Sequence, residues 1–106
     1  MKRTTVLHLI IAAAAFGMTA PAFADAALAA KYSCTACHSP DKKMLGPAYK
    51  DVAAKYQNDA EAPARLAGKV KQGSSGVWGP VPMPPNAGVP DDDVKKLVAW
   101  VLAGAK

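Results

Sequence analysis

The sequence predicts a small all-α domain, and three observations support this fold class. Its 106 residues allow one domain, which excludes multidomain and repeat architectures. Apolar residues recur at helical spacing in several segments, whereas proline and glycine are concentrated in residues 74–90. That stretch is incompatible with a helix or a central strand, so we expect short helices and one long loop.

Two predicted helices lie in the amino-terminal half. Residues 25–32 are alanine-rich, carry apolar side chains four residues apart and lead into the two cysteines. Turn-forming residues at 39–46 then predict a loop. Residues 47–56 form the second predicted helix, and we expect Pro47 at its first helical position, where an N–H group is not needed.

Two further helices are predicted on either side of the long loop. Residues 63–72 carry apolar side chains four residues apart and end at Gly73, a common helix stop. Residues 91–102 have the clearest helical pattern, and Asp91 is predicted to cap this helix. The intervening loop, residues 74–90, is longer than most connections in a compact domain, which favours a functional role.

The first 24 residues have the three parts of a secretory signal peptide. Two basic residues precede an apolar stretch from Val6 to Phe16, and Ala22-Phe23-Ala24 supplies small residues two apart. Glycine, threonine and proline interrupt the apolar stretch before the roughly 20 residues that a membrane-spanning helix needs. We therefore expect residues 1–24 to be removed on export, which leaves residues 25–106 as a mature domain that is not embedded in a membrane.

Composition and size restrict what the mature domain does. The chain has 13 basic and 8 acidic side chains, a net charge of +5, which falls to +3 once Lys2 and Arg3 are removed. A positive charge this weak and scattered does not support nucleic-acid binding, although it is compatible with an acidic protein partner. A domain of this size, with few aromatic residues, has a marginal core, so we expect a group outside the polypeptide to complete it.

The strongest functional motif is Cys34-Thr35-Ala36-Cys37-His38. The pattern C-x-x-C-H is the attachment motif for haem c. Two thiols one helical turn apart are spaced to form thioethers with the two vinyl groups of one porphyrin, and His38 is then placed to bind the iron. The motif contains both cysteines of the chain and the single histidine of residues 25–106. We therefore predict one haem c, covalently attached through Cys34 and Cys37.

Three other interpretations of the two cysteines have less support. A disulfide between such close residues closes a very small loop and contributes little stability. Thiol–disulfide oxidoreductases place their C-x-x-C motif beside a βαβ pattern, which this sequence lacks. A closed zinc site needs a fourth protein ligand, and the mature segment has no further cysteine or histidine.

The second axial ligand of the iron is predicted to be Met83. Thioether sulfur is a known partner of histidine in cytochromes c and raises the reduction potential. Met44 is only six residues from His38, too close to reach around the porphyrin, whereas Met83 is 45 residues away. Prolines on both sides of Met83 restrict the backbone where a labile ligand must be presented.

The mature chain resembles the small bacterial class I cytochromes c of the c-551 type. The resemblance is carried by four segments, at residues 34–38, 43–55, 76–86 and 100–102. It implies a fold of four to five short helices wrapped around the covalently attached haem, with the proline-rich loop carrying the sixth ligand.

The resemblance also implies supporting roles for four residues. The carbonyl of Pro47 accepts the ring N–H of His38 and orients it. Asn86 supplies an amide beside the methionine sulfur, and Trp78 donates from its indole to a haem propionate. Lys69 occupies a position where the family often has a larger cation near the propionates. Trp100 is interpreted as a core residue.

A haem iron with six bonds from porphyrin and protein has no position for a substrate, so we predict a periplasmic one-electron carrier and not an enzyme. A haem peroxidase is disfavoured because no distal histidine is available and the single mature arginine, Arg65, lies in a predicted helix. The leading alternative is a haem-based ligand-binding or sensing module in which a small molecule displaces Met83.

Redox proteins are the expected partners of a monomeric carrier. The resemblance implies electron transfer from a respiratory-chain donor to a terminal reductase, such as nitrite reductase, or to an oxidase or peroxidase. Uncharged residues are expected to cluster around the exposed haem edge: Thr35, Ala36, Met44, Leu45, Val81, Pro82, Pro84, Pro85 and Ala87. Lysines are candidates for the rim of this patch: Lys31, Lys42, Lys43 and Lys50.

Overall fold

The computed structural model describes residues 22–106 and confirms the all-α prediction. The helices are α1 (Ala22–Lys31), α2 (Tyr49–Tyr56), α3 (Ala62–Gln72) and α4 (Asp91–Leu102), and a 3₁₀ turn spans Cys34–Ala36. Residues 1–21 of the predicted signal peptide lie outside the described residues. Among residues 22–106, no helix combines the length and the apolar character that crossing a bilayer requires.

Helix α4 is the centre of the fold, because α1, α2 and α3 all pack against it. Its apolar side chains at three- and four-residue spacing are buried, and Val94 is only 1% exposed. Leu97 and Trp100 pack with residues of α1 and α2, whereas Val94 and Val98 pack with α3 and with the end of the long loop. Trp100 is 8% exposed, as expected for a core residue.

Two predicted helix starts are wrong by one or two residues. Pro47 does not open α2, because Ala48 has an extended backbone (φ −62°, ψ 143°) and the helix begins at Tyr49. Asp91 does not cap α4; Pro90 occupies the cap position and Asp91 is the first helical residue. The carboxylate of Asp91 pairs instead with Lys71, at 3.1 Å, and its charge still favours the positive end of the α4 dipole.

The long loop between α3 and α4 is held by hydrogen bonds rather than by regular structure. Gly73 ends α3 with φ at 81°, a left-handed conformation that glycine adopts without strain. Ser74 and Met83 then form an antiparallel bridge, and the backbone N–H of Asn86 donates to the Val70 carbonyl oxygen at 2.9 Å. The loop therefore folds back along the carboxyl end of α3.

A side-chain hydrogen bond connects the segment after α1 with the last helix, α4. Tyr32, just after α1, donates from its hydroxyl to a carboxylate oxygen of Asp93 in α4, at 2.6 Å. This bond, followed by burial and by the negative charge of Asp93, raises the pKa of Tyr32 above its ordinary value of 10. The neutral phenol is thus the form that the folded state favours.

We expect the Tyr32→Phe variant to lose less stability at alkaline pH than the wild-type protein does. Because the folded state holds the Tyr32 proton more tightly than the unfolded state does, the bond stabilises the fold below pH 10 and is lost as pH rises through the folded pKa. Denaturant unfolding at pH 7 and pH 11 measures how much stability is lost between the two pH values. The variant should have a lower midpoint at pH 7 and a smaller decrease towards pH 11, as should Asp93→Asn. Equal decreases in variant and wild type would contradict the assignment.

Candidate functional site

One cavity of about 380 Å³ gathers most of the residues singled out in the sequence. Its volume is within the range typical of small-molecule and cofactor sites. Seven of the eight predicted site residues line it: Cys34, Cys37, His38, Pro47, Lys69, Trp78 and Met83. The remaining walls come from apolar side chains of α2, α3 and α4, which include Val52, Leu66 and Val101, and from the loop segments at 45–46 and 74–84. The fold therefore brings predicted site residues that are up to 49 positions apart in the sequence to one apolar site.

The two cysteines enter the cavity from a tight turn after α1. Ser33, just after α1, adopts a left-handed conformation (φ 61°) that changes the direction of the chain, and the 3₁₀ turn begins at Cys34. The carbonyl oxygen of Cys34 then accepts the backbone N–H groups of Cys37, at 3.2 Å, and His38, at 3.0 Å. Both thiols are free and partly buried. Burial raises the pKa of the Cys34 thiol, a backbone hydrogen bond opposes that effect in part, and the charge of Cys37 adds to it.

The orientation of His38 is determined by two contacts. Its Nδ1 lies 2.8 Å from the carbonyl oxygen of Pro47. Since a carbonyl only accepts, Nδ1 carries a proton, and Nε2 is the nitrogen that the neutral imidazole offers to a metal ion. The ring also stacks on Tyr49, with ring centroids 5.2 Å apart and an interplanar angle of 22°. Tyr49 in turn meets Trp100 edge-on at 5.3 Å, which connects the imidazole to the core of the protein.

Gly46 is a site residue that the sequence predicted only as part of a turn. A Cβ at this position would lie 2.5 Å from His38 Cε1 and 2.8 Å from Nδ1. The backbone N–H of Gly46 also donates to the Cys37 carbonyl oxygen at 2.8 Å, which keeps the chain against the imidazole. A glycine directly before Pro47 was the available signal, but the close approach depends on a loop geometry that the sequence does not specify.

Met83 is placed in the cavity by backbone contacts as well as by its flanking prolines. Its N–H donates to the Ser74 carbonyl oxygen at 2.8 Å, and its own carbonyl oxygen accepts the Ser74 N–H at 3.1 Å. Gly73 makes this pairing possible, because a Cβ there would lie 2.8 Å from the Met83 carbonyl oxygen. The sequence indicated Gly73 as a helix stop, not as the surface against which the Met83 backbone packs.

Of the three remaining predicted site residues, Trp78 and Lys69 line the cavity and Asn86 does not. Trp78 lines the cavity with 38% of its surface exposed, and the Lys55 ammonium lies 5.4 Å from its indole centroid. Lys69 also lines the cavity. Asn86 does not line it, and its side-chain amide donates to the Pro84 carbonyl oxygen at 3.1 Å. A contact between Asn86 and the Met83 sulfur therefore stays a prediction.

The donor set of the cavity fits a covalently held metalloporphyrin. Two free thiols, one imidazole with an unprotonated nitrogen and one thioether converge on a space with apolar walls. Imidazole and thioether are iron ligands in cytochromes, and thiols form thioethers with porphyrin vinyl groups. An all-α fold with this site defines the class of monohaem c-type electron carriers.

Comparison with known proteins shows the family. The family model described as Cytochrome c matches residues 23–105, so the chain belongs to the cytochrome c family. It is 59% identical over 81 residues to cytochrome c-551 of Allochromatium vinosum, covering 76% of this chain and 86% of that protein. It is 54% identical to cytochrome c-552 of Nitrosomonas europaea, covering 86% of this chain and 88% of that protein.

A solved structure agrees with these matches. The crystal structure of wild-type Nitrosomonas europaea cytochrome c552 aligns with a TM-score of 0.72 and 55% identity, covering 74% of this chain and 96% of that chain. The predicted resemblance to class I c-551 cytochromes is therefore confirmed. The protein is a haem c electron carrier and not an enzyme, and its cofactor is one covalently bound haem c with its iron.

We expect Gly46→Ala to disturb His38, whereas the matched substitution Gly68→Ala does not. The new methyl group at position 46 overlaps the imidazole and should lower the free energy of unfolding by roughly 1–3 kcal/mol. Gly68 lies inside α3 with no atom near its Cβ direction, so alanine there should raise this free energy by roughly 0.5–1 kcal/mol.

Denaturant unfolding of the two haem-containing variants gives these free energies, and NMR of the His38 ring reports its orientation. Unchanged His38 resonances and unchanged stability in Gly46→Ala would show that the close approach has no structural importance.

Proposed function

We propose that this protein is a periplasmic one-electron carrier whose haem iron is bound axially by His38 and Met83. The observation that carries the proposal is the single cavity that contains Cys34, Cys37, His38 and Met83 together. Bound haem supplies a one-electron Fe(III)/Fe(II) couple.

In the proposed site, one iron ligand, His38, comes from the amino-terminal half of the chain and the other, Met83, from the carboxyl-terminal half. Cys34 and Cys37 attach the porphyrin covalently, next to the imidazole in sequence. The hydrogen bond to Pro47 places a proton on Nδ1 of His38, so that Nε2 is the nitrogen left to bind the iron, and it makes Nε2 a better donor. Met83 presents its thioether from a loop paired with Ser74. With haem bound, His38 and Met83 would hold the iron and would leave no position for water or an exogenous ligand, so the group would supply one-electron chemistry only.

Export is part of the proposal. Residues 1–24 have the pattern of a signal peptide, and residues 25–106 form the carrier domain. Covalent attachment at a C-x-x-C-H motif and the relatives' names, cytochrome c-551 and c-552, support the same type of bacterial protein. We propose a respiratory-chain donor and a terminal reductase, such as nitrite reductase, or an oxidase or peroxidase as acceptor.

An apolar patch beside the cavity supports transient docking of these partners. The exposed large hydrophobic residues of the described chain are Met44, Leu45, Val77, Trp78 and Val81, and all of them except Met44 line the cavity. Leu45 is 63% exposed and Val81 is 55% exposed. Apolar contact of small area permits rapid dissociation, which a carrier requires. Exposed Lys42, Lys43 and Lys50 belong to the same stretch of chain as Met44 and Leu45 and favour an acidic partner surface.

We expect Met83→Ala to remove the sulfur-to-iron charge-transfer band of the ferric protein, near the red end of the spectrum. The thioether is the source of that band, and its loss leaves a high-spin iron that binds carbon monoxide when reduced. Met44→Ala is the matched control, because Met44 is exposed and does not line the cavity, and it should keep the band.

The same spectra distinguish the proposal from a sensing module. A wild-type protein that has the band but readily exchanges Met83 for carbon monoxide once reduced would support the sensing module, whereas a wild-type protein that lacks the band would contradict His38/Met83 ligation. A pyridine haemochrome spectrum tests the covalent attachment independently.

Electron exchange with an anionic reagent tests the role of the lysines. With hexacyanoferrate as the probe, we expect the rate of exchange to fall several-fold as ionic strength rises, because screening weakens attraction to exposed cations. Lys42→Glu/Lys43→Glu should lower the low-salt rate and flatten the salt dependence. Lys95→Glu/Lys96→Glu makes the same charge change on α4 and should have a smaller effect. Equal effects of the two double variants would show that Lys42 and Lys43 have no particular role in docking.

A further inference from the structure

The loop that carries Met83 is tied to the end of α3 at three places. Met83 itself pairs with Ser74, just after α3, through two backbone hydrogen bonds, and the backbone N–H of Asn86 donates to the Val70 carbonyl oxygen. After Met83, the side chain of Lys71, in the last turn of α3, reaches across to the segment that leads into α4. Its ammonium nitrogen lies 3.0 Å from the Ala87 carbonyl oxygen, 2.7 Å from that of Val89 and 3.1 Å from a carboxylate oxygen of Asp91.

These three contacts match what a lysine side chain offers. An ammonium group has three N–H donors and no acceptor, and here it donates to the Ala87 and Val89 carbonyl oxygens and forms an ion pair with Asp91. The Lys71 side chain is 29% exposed, so the contacts are partly shielded from water. Val89 is 6% exposed and packs with Val94 and Val98, so its carbonyl is attached to the core. Hydrogen bonds to charged donors are stronger than neutral ones.

Because Lys71 lies outside the cavity, its effect on Met83 differs from that of a positive charge placed close to the iron. Lys69, two residues earlier, lines the cavity, but Lys71 does not. The hydrogen bonds and the ion pair of Lys71 are all with the chain after Met83, and they draw residues 87–91 against the end of α3. Its influence on Met83 therefore passes through the backbone of the loop.

We propose that Lys71 is a positioning residue for Met83: it closes the loop behind the ligand and suppresses local opening that would carry the thioether off the iron. This inference rests on the proposed function, in which Met83 is an axial ligand. Loops of this length open locally at low free energy unless contacts of this kind hold them. A lysine in the last turn of α3 thus controls access to the iron without lining the cavity.

The test measures cyanide binding to the ferric, haem-containing protein in the absence of denaturant. Cyanide binds once Met83 has left the iron, so its limiting rate reports local opening of the loop. Lys71→Met keeps the aliphatic stem and removes the three donors, and we expect the rate to rise on the order of 10-fold, equivalent to about 1.4 kcal/mol of opening free energy. Lys71→Arg restores donors and should return the rate to within about threefold of wild type. Asp91→Asn removes the ion pair alone and should give an intermediate rate.

Lys96→Met is the control for loss of one positive charge, since Lys96 is exposed on α4, and it should leave the rate unchanged. A rate for Lys71→Met within twofold of this control would overturn the inference. So would a rate that rises only in parallel with global unfolding, as judged by the denaturant midpoint and by a strong denaturant dependence of cyanide binding. A wild-type protein without the sulfur-to-iron band would instead show that Met83 ligation, and with it the proposed function, is wrong.

Discussion

The hydrogen bond between His38 and the Pro47 carbonyl is the constraint on which the site depends. It determines which imidazole nitrogen is protonated and leaves the other one to bind a metal. The backbone of Ala48 is extended, so α2 begins at Tyr49 and the Pro47 carbonyl lies outside the helix, where it accepts the His38 ring N–H. Gly46 and Tyr49 then enclose the imidazole from two directions, so a single orientation of His38 satisfies all three neighbours.

The two proposed axial ligands are held by different means. His38 is fixed by its own side-chain contacts, next to the cysteines, and its ring is connected through Tyr49 to Trp100 in the core. Met83 lies on a loop that is fixed through its backbone, by Ser74 on one side and by the Lys71 contacts on the other. This difference makes the methionine the ligand that local motion can release. It also explains why the loop combines several prolines, which reduce its freedom, with tethers to α3.

The site and the partner surface are continuous. Trp78 lines the cavity and is also partly exposed beside Leu45 and Val81, so the residues that cover the haem site also form the apolar patch offered to a partner. An electron carrier needs this arrangement, because the redox centre must approach its partner while remaining closed to water.

The sequence alone determined the class of the protein, because its decisive features are local. The spacing of Cys34, Cys37 and His38, the helical repeat of residues 91–102 and the prolines around Met83 each lie within one short segment, where covalent geometry and helix periodicity restrict the structure. Tertiary structure decided what depends on residues far apart in the chain. Tyr32 meeting Asp93, and Lys71 meeting the carbonyls after Met83, leave no periodic trace in the sequence, since such contacts exist only once the helices have packed on α4.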